Sequence, residues 1–413
     1  MATLKFLLQS RNNGKGAPKG RPFLLVAVLL IVIFAHAQKA QKPTSPLYVA
    51  KGVLHYTPDS LGNRIPDFSY CGYAASEEPI PTVAVKVVVP PTKGDATLRI
   101  QSALDYVASL PADKAGFRGA VLLQTGTYSV AGQLKLMTSG VVLRGSGMGP
   151  RGTVLIGAGK DRETLIRISG RNDKLTSDEQ KLTSAYVPVG ATVLTVADAT
   201  AFRPGDAIVI RRPSTLAWIK TLGTDHFGGG ITATGWKPGE RDLFFERKLV
   251  SVSGNQLRFD VAITTALDTT FGGGLVSKLT WPGRIEKVGI ENLTLQSEFE
   301  KANPKDEAHR WMAITLENVT DAWVRQVTFK HFAGSAVAVL ASAKRVTVED
   351  CKSLQPVSEI GGQRRYTFFT AGQQTLVQRC YAEYGYHDFA VGLCAPGPNA
   401  FVQCQSVLPY SFS

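Results

Sequence analysis

Three stretches near the end of the chain carry the residue types that could do acid–base chemistry on a sugar. One holds His331, the next is SEIGGQRRYTFF with Glu359, Arg364, Arg365 and Tyr366, and the third is EYGYHDF with Glu383, Tyr384, Tyr386, His387 and Asp388. Together they suit β-elimination on a uronic acid. The C5 proton lies beside a carboxylate, so its removal builds negative charge that a cation must stabilise while a base takes the proton. Arg364 or Arg365 would clamp the carboxylate through two parallel N–H bonds. His387 would act as base or acid, with Asp388 or Glu383 setting its tautomer, and Tyr386 or Tyr384 protonating the leaving oxygen or stacking on a sugar ring. His331, Glu359, Tyr366, Glu383 and Tyr384 would line the substrate path. Each residue also has a structural reading: paired arginines commonly sit in ion pairs, and a His beside an Asp is commonly a hydrogen-bonded pair. Glu359, Asp350 and Glu383 offer the alternative chemistry of a carboxylate pair on a glycosidic bond, or of Ca²⁺ ligands, the one cofactor this sequence suggests. His309, in DEAHRW, is a weaker candidate.

These stretches can cooperate only if the fold stacks them. Between Arg284 and Ser413, the segments VGIENLTLQ, WVRQVTFKH, VTVEDCKSL, LVQRCYAEY and FVQCQSVLP align on one column: Leu293, Val327, Cys351, Cys380 and Cys404. The intervals are 34, 24, 29 and 24 residues, and three positions earlier a second column reads Ile290, Val324, Val348, Val377 and Phe401. Shorter apolar pairs precede each: Ile314/Leu316, Val337/Val339, Phe368/Phe369 and Val391/Leu393. Coils of this length with several short strands each predict a parallel β-helix, in which one coil cannot bury its apolar face until the next stacks on it. Leucine-rich repeats would need a Leu/Asn consensus, and helical repeats a 3.6-residue period; neither occurs. The cysteine column reads as core packing, since free Cys is among the most buried residue types. Neighbouring strands lie about 5 Å apart, so equivalent loops of successive coils would share one face.

Ahead of the coils, GDATLRIQSALDYVASL (94–110) places Leu98, Ile100, Ala103, Leu104 and Val107 on one helical face, with Asp95 or Thr97 near the N-cap. A helix there would cover the open end of the first coil. GAVLLQTGTYSV, GQLKLMTSGVVLRGSG and GTVLIGAG follow as short strands broken by glycines. Gly145, Gly147 and Gly149 mimic a dinucleotide loop but lack the helix that must follow it, and read as turns. In GDATLRIQSALDYV, GAVLLQTGTYSV and VVLRGSGMGPRGTVLIG, and more loosely through the coils to Ser413, the chain resembles the pectate-lyase superfamily. The resemblance covers about two-thirds of the chain and implies a right-handed parallel β-helix and a polysaccharide ligand. It does not specify the chemistry, because the superfamily holds lyases, hydrolases, epimerases and non-catalytic members. The Asn-Thr-Asp, Asp-Asp and Gly-His-Gly segments of polygalacturonase-type enzymes are absent, as are the Trp-Ile-Asp-His and Arg-x-Pro-x-x-Arg stretches of calcium-dependent pectate lyases.

From about residue 172 to 277 the coil pattern stops, and alternating strands with Gly-Asp and Gly-Asn turns predict a compact antiparallel module inserted between coils. Its Trp218, Lys220, Trp236, Lys237, Arg241 and Arg247 would form an aromatic and basic wall for sugar, or else fill the module's own small core. The expected organisation is a leader over 1–37, an extended segment over 38–93, a first β-helical part with its capping helix over 94–171, the inserted module over 172–277, and a second β-helical part over 278–413.

The leader reading rests on Lys5, Arg11, Lys15, Lys19 and Arg21, a run of thirteen apolar residues from Phe23 to Ala35, and Ala35-His36-Ala37 before Gln38. Thirteen apolar residues are too few to cross a bilayer, which takes about 20. Cleavage would export the chain, extracellular or periplasmic, with no stable membrane anchor. It would also remove five basic residues and no acidic one, lowering the formal net charge from +13 to +8. A basic exported protein suits an anionic polysaccharide better than nucleic acid. The mature chain of about 375 residues exceeds one compact core, so it is either elongated or two modules, and is expected to be a monomer. Five cysteines are too few and too uneven for a disulfide framework. The chain stops directly after a ladder strand, which reads as a C-terminal truncation because a solenoid needs its last coil covered. The function expected is a polysaccharide lyase on a uronate polymer; the alternatives are a glycoside hydrolase with paired carboxylates and a non-catalytic carbohydrate-binding protein.

Overall fold

The computed structural model describes residues 45–227 and 234–410. The leader expected over 1–37 lies outside them. No helix among the described residues is long and apolar enough to cross a membrane. Residues 1–57 form one unit, of which an antiparallel hairpin, Leu47–Ala50 with Val53–Tyr56, is described. Everything below concerns the second unit, 58–413.

That unit is a right-handed parallel β-helix. Along one sheet, Val85–Val89, Gly119–Leu123, Val141–Arg144, Ile285–Ser297, Val319–Lys330, Lys344–Glu349, Thr375–Gln378 and Asn399–Val402 pair in parallel, coil upon coil. The predicted columns keep register throughout. Ile290 faces Val324, Val348, Val377 and Phe401 in turn, and the pairings place Leu293, Val327, Cys351, Cys380 and Cys404 in one file. Within the core these side chains, down to Cys380, are at most 2 % exposed. Fully burying each aliphatic one contributes about 1.5–3 kcal/mol, a return that only stacking makes available. All five thiols are free.

A second sheet, Leu134–Leu136, Ile166–Ser169, Ile314–Glu317, Val337–Val339, Tyr366–Thr370 and His387–Val391, corrects one expected register. The inward file runs Ile314, Val337, Phe368, Phe389, with the last two rings stacked at 5.5 Å; Val391 and Leu393 are exposed. These strands carry apolar residues on both faces, so composition alone does not mark the inner one.

Each coil bends at fixed places through non-glycine residues with positive φ. One file is Lys287, Asp321, Arg345 and Gln374; a second is Asn292, Gln326, Asp350, Arg379 and Gln403; a third is His331, Gln355, Tyr384 and Leu408. A left-handed residue costs roughly 1–2 kcal/mol, and here the same bend recurs coil after coil because the pairing on either side demands it. Asp321 with Arg345 and Asp350 with Arg379 form ion pairs along these files, at 2.5 and 2.7 Å.

The helix α1, Thr97–Ser109, buries Ile100, Ala103, Leu104 and Val107 against the first coil, but Leu98 points to solvent, 79 % exposed. Ala96 occupies the N-cap, and Asp95 acts beside it, its Oδ1 accepting from the Thr97 N–H and hydroxyl and the Ala131 N–H. The glycine turn 145–152 leads into a strand, Thr153–Gly157, and its Met148 carbonyl accepts from the Thr294 and Thr328 hydroxyls. The segment carrying Tyr73 and Val83 packs over Trp323 on the outer face of the first sheet. There Gly289 leaves the indole room: a Cβ would lie 2.1 Å from it.

Between strands Ile166–Ser169 and Ile285–Ser297 an antiparallel sheet interrupts the solenoid, its strands spanning Leu175 to Thr280, with a core built on Leu194, Ile208, Phe245, Leu257 and Val276. Arg247, offered either for a sugar-binding wall or for the module's interior, is 1 % exposed and joins module to solenoid. Its guanidinium donates to the carbonyls of Val261 and Ala262 in the module, to Gly397, and to Gln373 Oε1 in the coils. Beside it Lys344 donates to the Glu246 carbonyl, and Arg284 pairs with the Glu246 carboxylate.

Candidate functional site

The second sheet ends on strand His387–Val391, and there the expected aromatic and acid–base residues meet. Tyr366 lies directly opposite His387, and the imidazole sits edge-on to two phenol rings, Tyr366 and Tyr386, each 4.5 Å away. These three, with Asp388, Phe389, Ala390, Val391, Ser406 and Pro409, line an open groove of about 520 Å³, a size suited to a small-molecule or sugar ligand. The His387 side chain makes no hydrogen bond among the described residues, leaving both ring nitrogens available.

Asp388 does not orient His387. It is 5 % exposed, and its two oxygens accept from Thr367 Oγ1 at 2.9 Å and Ser406 Oγ at 2.6 Å. Gly385 makes room for it, since a Cβ there would stand 1.8 Å from Asp388 Oδ1. Glu383 is likewise engaged, accepting from the Tyr381 hydroxyl and the Gln355 N–H, both at 3.1 Å. Burial and this carboxylate push the Tyr381 hydroxyl pKa up.

The two arginines separate. Arg365 is 6 % exposed, in a left-handed bend, and its guanidinium donates to Ser358 Oγ at 3.0 Å, the Ser358 carbonyl at 2.8 Å and the Tyr384 carbonyl at 3.1 Å. Burial lowers its pKa, and the Tyr410 ring 5.4 Å away covers its face. A fork with three of its five N–H groups so engaged holds the 355–365 loop to the next coil rather than standing free to clamp a substrate carboxylate. Arg364 is a third exposed and pairs with Glu307, which raises the arginine's pKa and lowers that of the acid. Glu307 also binds Arg162, whose guanidinium lies 4.1 Å over Trp311.

The remaining candidates disperse. His331 stands in the third file of bends, edge-on to Phe299 at 4.9 Å; burial lowers its pKa, and its Nδ1 is buried without a partner. Glu359 is exposed and pairs with Lys305 at 3.1 Å, and Tyr384 turns toward Tyr410, ring centres 6.4 Å apart. His309 is a core residue, 1 % exposed, bonded to Ser297 Oγ at 2.8 Å and to the carbonyls of Asp306 and Val357 at 3.1 Å. Trp236 stacks on Trp218 at 5.8 Å in the inserted module, with Lys237 exposed; neither borders the groove. The Ca²⁺ reading does not fit: Glu359, Asp350 and Glu383 each have a separate partner, and no group of three or more His, Cys, Asp or Glu among the described residues forms a metal cradle.

Sequence reasoning missed Thr367, Ser406, Phe389 and Pro409. The 21-residue offset between the last two strands would have put Thr367 opposite Asp388. Nothing in the spacing announces Ser406, which reaches Asp388 across the coil interior.

No family model matches the chain, and no curated protein matches it. Among solved structures it is similar to the tailspike gp61 of Pseudomonas phage phi297, at 14% identity and a TM-score of 0.44, over 74% of this chain and 44% of that one. It is also similar to the tailspike gp49 of Pseudomonas phage LKA1 (13%, 0.43, 75% and 49%) and to a polygalacturonase from Erwinia carotovora (11%, 0.33, 81% and 64%). The chain thus spans less than half the length of either tailspike, and likenesses this distant say nothing of its chemistry.

Proposed function

We propose that this chain is an exported polysaccharide lyase of the pectate-lyase type that cleaves a uronate polymer by β-elimination in the groove beside His387. The observation that carries the reading is the His387 imidazole flanked at 4.5 Å by Tyr366 and Tyr386 on an open groove. A neutral imidazole takes the C5 proton, the C4–O bond breaks as the C4–C5 double bond forms, and a tyrosine hydroxyl supplies the proton that the departing oxygen needs. Arg364, two residues before Tyr366, keeps Nη1 without a hydrogen bond among the described residues and is the cation for the substrate carboxylate. The hydrolytic alternative has less support, because Asp388 is the one carboxylate among the residues lining the groove and both its oxygens are occupied.

Incubating the chain with pectic and other uronate polysaccharides, and following the ultraviolet absorbance of the unsaturated product, tests this. Absorbance should rise, and His387→Ala should abolish the rise. New reducing ends without absorbance would make the protein a hydrolase. Binding without cleavage would make it a carbohydrate-binding protein.

A further inference from the structure

A second polar site lies on the inserted module, at the far end of the strand that carries His387. Arg212 closes strand Ala207–Arg212 and is 5 % exposed. Its neighbour Arg211 is paired with Glu179 and Asp242, but Arg212 has no ion pair among the described residues, and its Nη1 is buried without a hydrogen-bond partner. Its guanidinium lies 3.9 Å over Trp218; Trp218 stacks on Trp236, and Arg241 stands 5.5 Å over Trp236 with its own Nε buried and unpartnered. A column of two indoles thus carries a guanidinium at each end. Both cations lie within electrostatic reach of the Cys394 thiol, in the turn that follows strand His387–Val391. Asp242, whose charge acts on Arg212, already accepts from Arg211 and from the Ser214 hydroxyl and N–H.

A buried cation without a counter-charge is expensive to keep, and a free guanidinium N–H is a strong donor to a carboxylate. The indole faces are taken by each other and by the arginines, so what the column offers a ligand is charge and N–H groups rather than a bare stacking surface. We propose that Arg212, assisted by Arg241, forms an anion-binding subsite for the carboxylate of a uronic-acid residue, where the inserted module meets the turn around Cys394. This rests on the uronate reading of the His387 groove and extends it. His387 and Cys394 are seven residues apart, at most about 23 Å of extended chain, so one polymer strand can occupy both places. The inserted module then selects charged over esterified polymer.

The test is binding, separate from cleavage. Isothermal titration of the full chain with oligogalacturonate and with its fully methyl-esterified counterpart should show at least tenfold tighter binding of the charged form. Arg212→Gln should cut that preference several-fold, the remainder coming from Arg364 in the groove, and Arg241→Gln, at a partly exposed position, should reduce it without affecting folding. Equal affinity for the two oligosaccharides, no binding of either, or a preference that neither arginine substitution lowers would overturn the subsite. Absence of lyase product with the preference intact would instead strike only the reaction assigned to the groove. An unchanged thermal midpoint in Arg212→Gln shows that any lost binding is local.

Discussion

Arg365 offers a direct contest between a strut and a clamp. Arg365→Met keeps the length of the side chain and removes every donor. Two of the three bonds lost, to Ser358 Oγ and the Ser358 carbonyl, are buried, whereas the Tyr384 carbonyl can be rehydrated. At about 1.5–3 kcal/mol for a hydrogen bond with a charged partner, the two buried bonds amount to about 3–6 kcal/mol. Release of a guanidinium whose burial already lowers its pKa offsets part of this, leaving a net loss of about 2–4 kcal/mol. Urea unfolding should show an earlier midpoint, and limited proteolysis should cut the 355–365 loop sooner. Arg365→Lys, which can replace at most part of the fork, should fall between the two. If Arg365→Met instead kept its midpoint and protease resistance while losing affinity for carboxylated sugar, the strut would be refuted and the clamp restored.

Other substitutions probe the same architecture. Gly385→Ala would place a Cβ 1.8 Å from Asp388 Oδ1 and expel that carboxylate from Thr367 and Ser406; a loss of about 2–4 kcal/mol in unfolding free energy is expected, and an unchanged value would show that Asp388 is free to move. Arg247→Met, which strands several buried acceptors between module and coils, should destabilise by about 3–5 kcal/mol and raise amide exchange in the inserted sheet before the coils; uniform exchange would argue against Arg247 as the joint. Burial pulls Lys344 down to about 8 from an ordinary 10.5, against the opposing pull of Glu246 and Asp260 and with Arg345 and Arg247 adding to the fall. Between those values the unfolded state binds more protons, so Lys344 should contribute at most about 1 kcal/mol of added stability from pH 8 to 9, read as the difference between the pH profiles of the parent chain and Lys344→Met. Buried thiols such as Cys71, raised to about 12, act in the opposite sense around and above pH 9, because they keep their protons in the folded chain and lose them in the unfolded one.

The solenoid was readable because burial demands identical placement in every coil: Ile290, Val324, Val348, Val377 and Phe401 recur as apolar residues and do pair in that order. The bends were not readable. Lys287, Asp321, Arg345 and Gln374 share a left-handed backbone without sharing a residue type, and none is glycine. At the site, the meeting of Tyr366 with His387 follows from coil stacking. The partners of Arg364 and Arg365 do not, since Glu307 arrives from a long loop and Ser358 binds through a backbone carbonyl as well as its hydroxyl. Arg247 alternates with Phe245 and Leu249 on the core face of its strand, a place where a charge is not expected, and it is tolerated there because carbonyls of the module and Gln373 of the coils take up its donors.

The recurrent bends bear on how such a chain can change. Because each corner is held by pairing on both sides, a segment between corners can lengthen without disturbing the stack, as the uneven coil intervals of 34, 24, 29 and 24 residues attest. The inserted module is the extreme case, leaving after Ile166–Ser169 and returning at Ile285–Ser297 with the parallel pairing resumed on both sheets. Specificity can therefore be rewritten in the loops by length as well as by substitution, while the scaffold that presents them keeps its pitch.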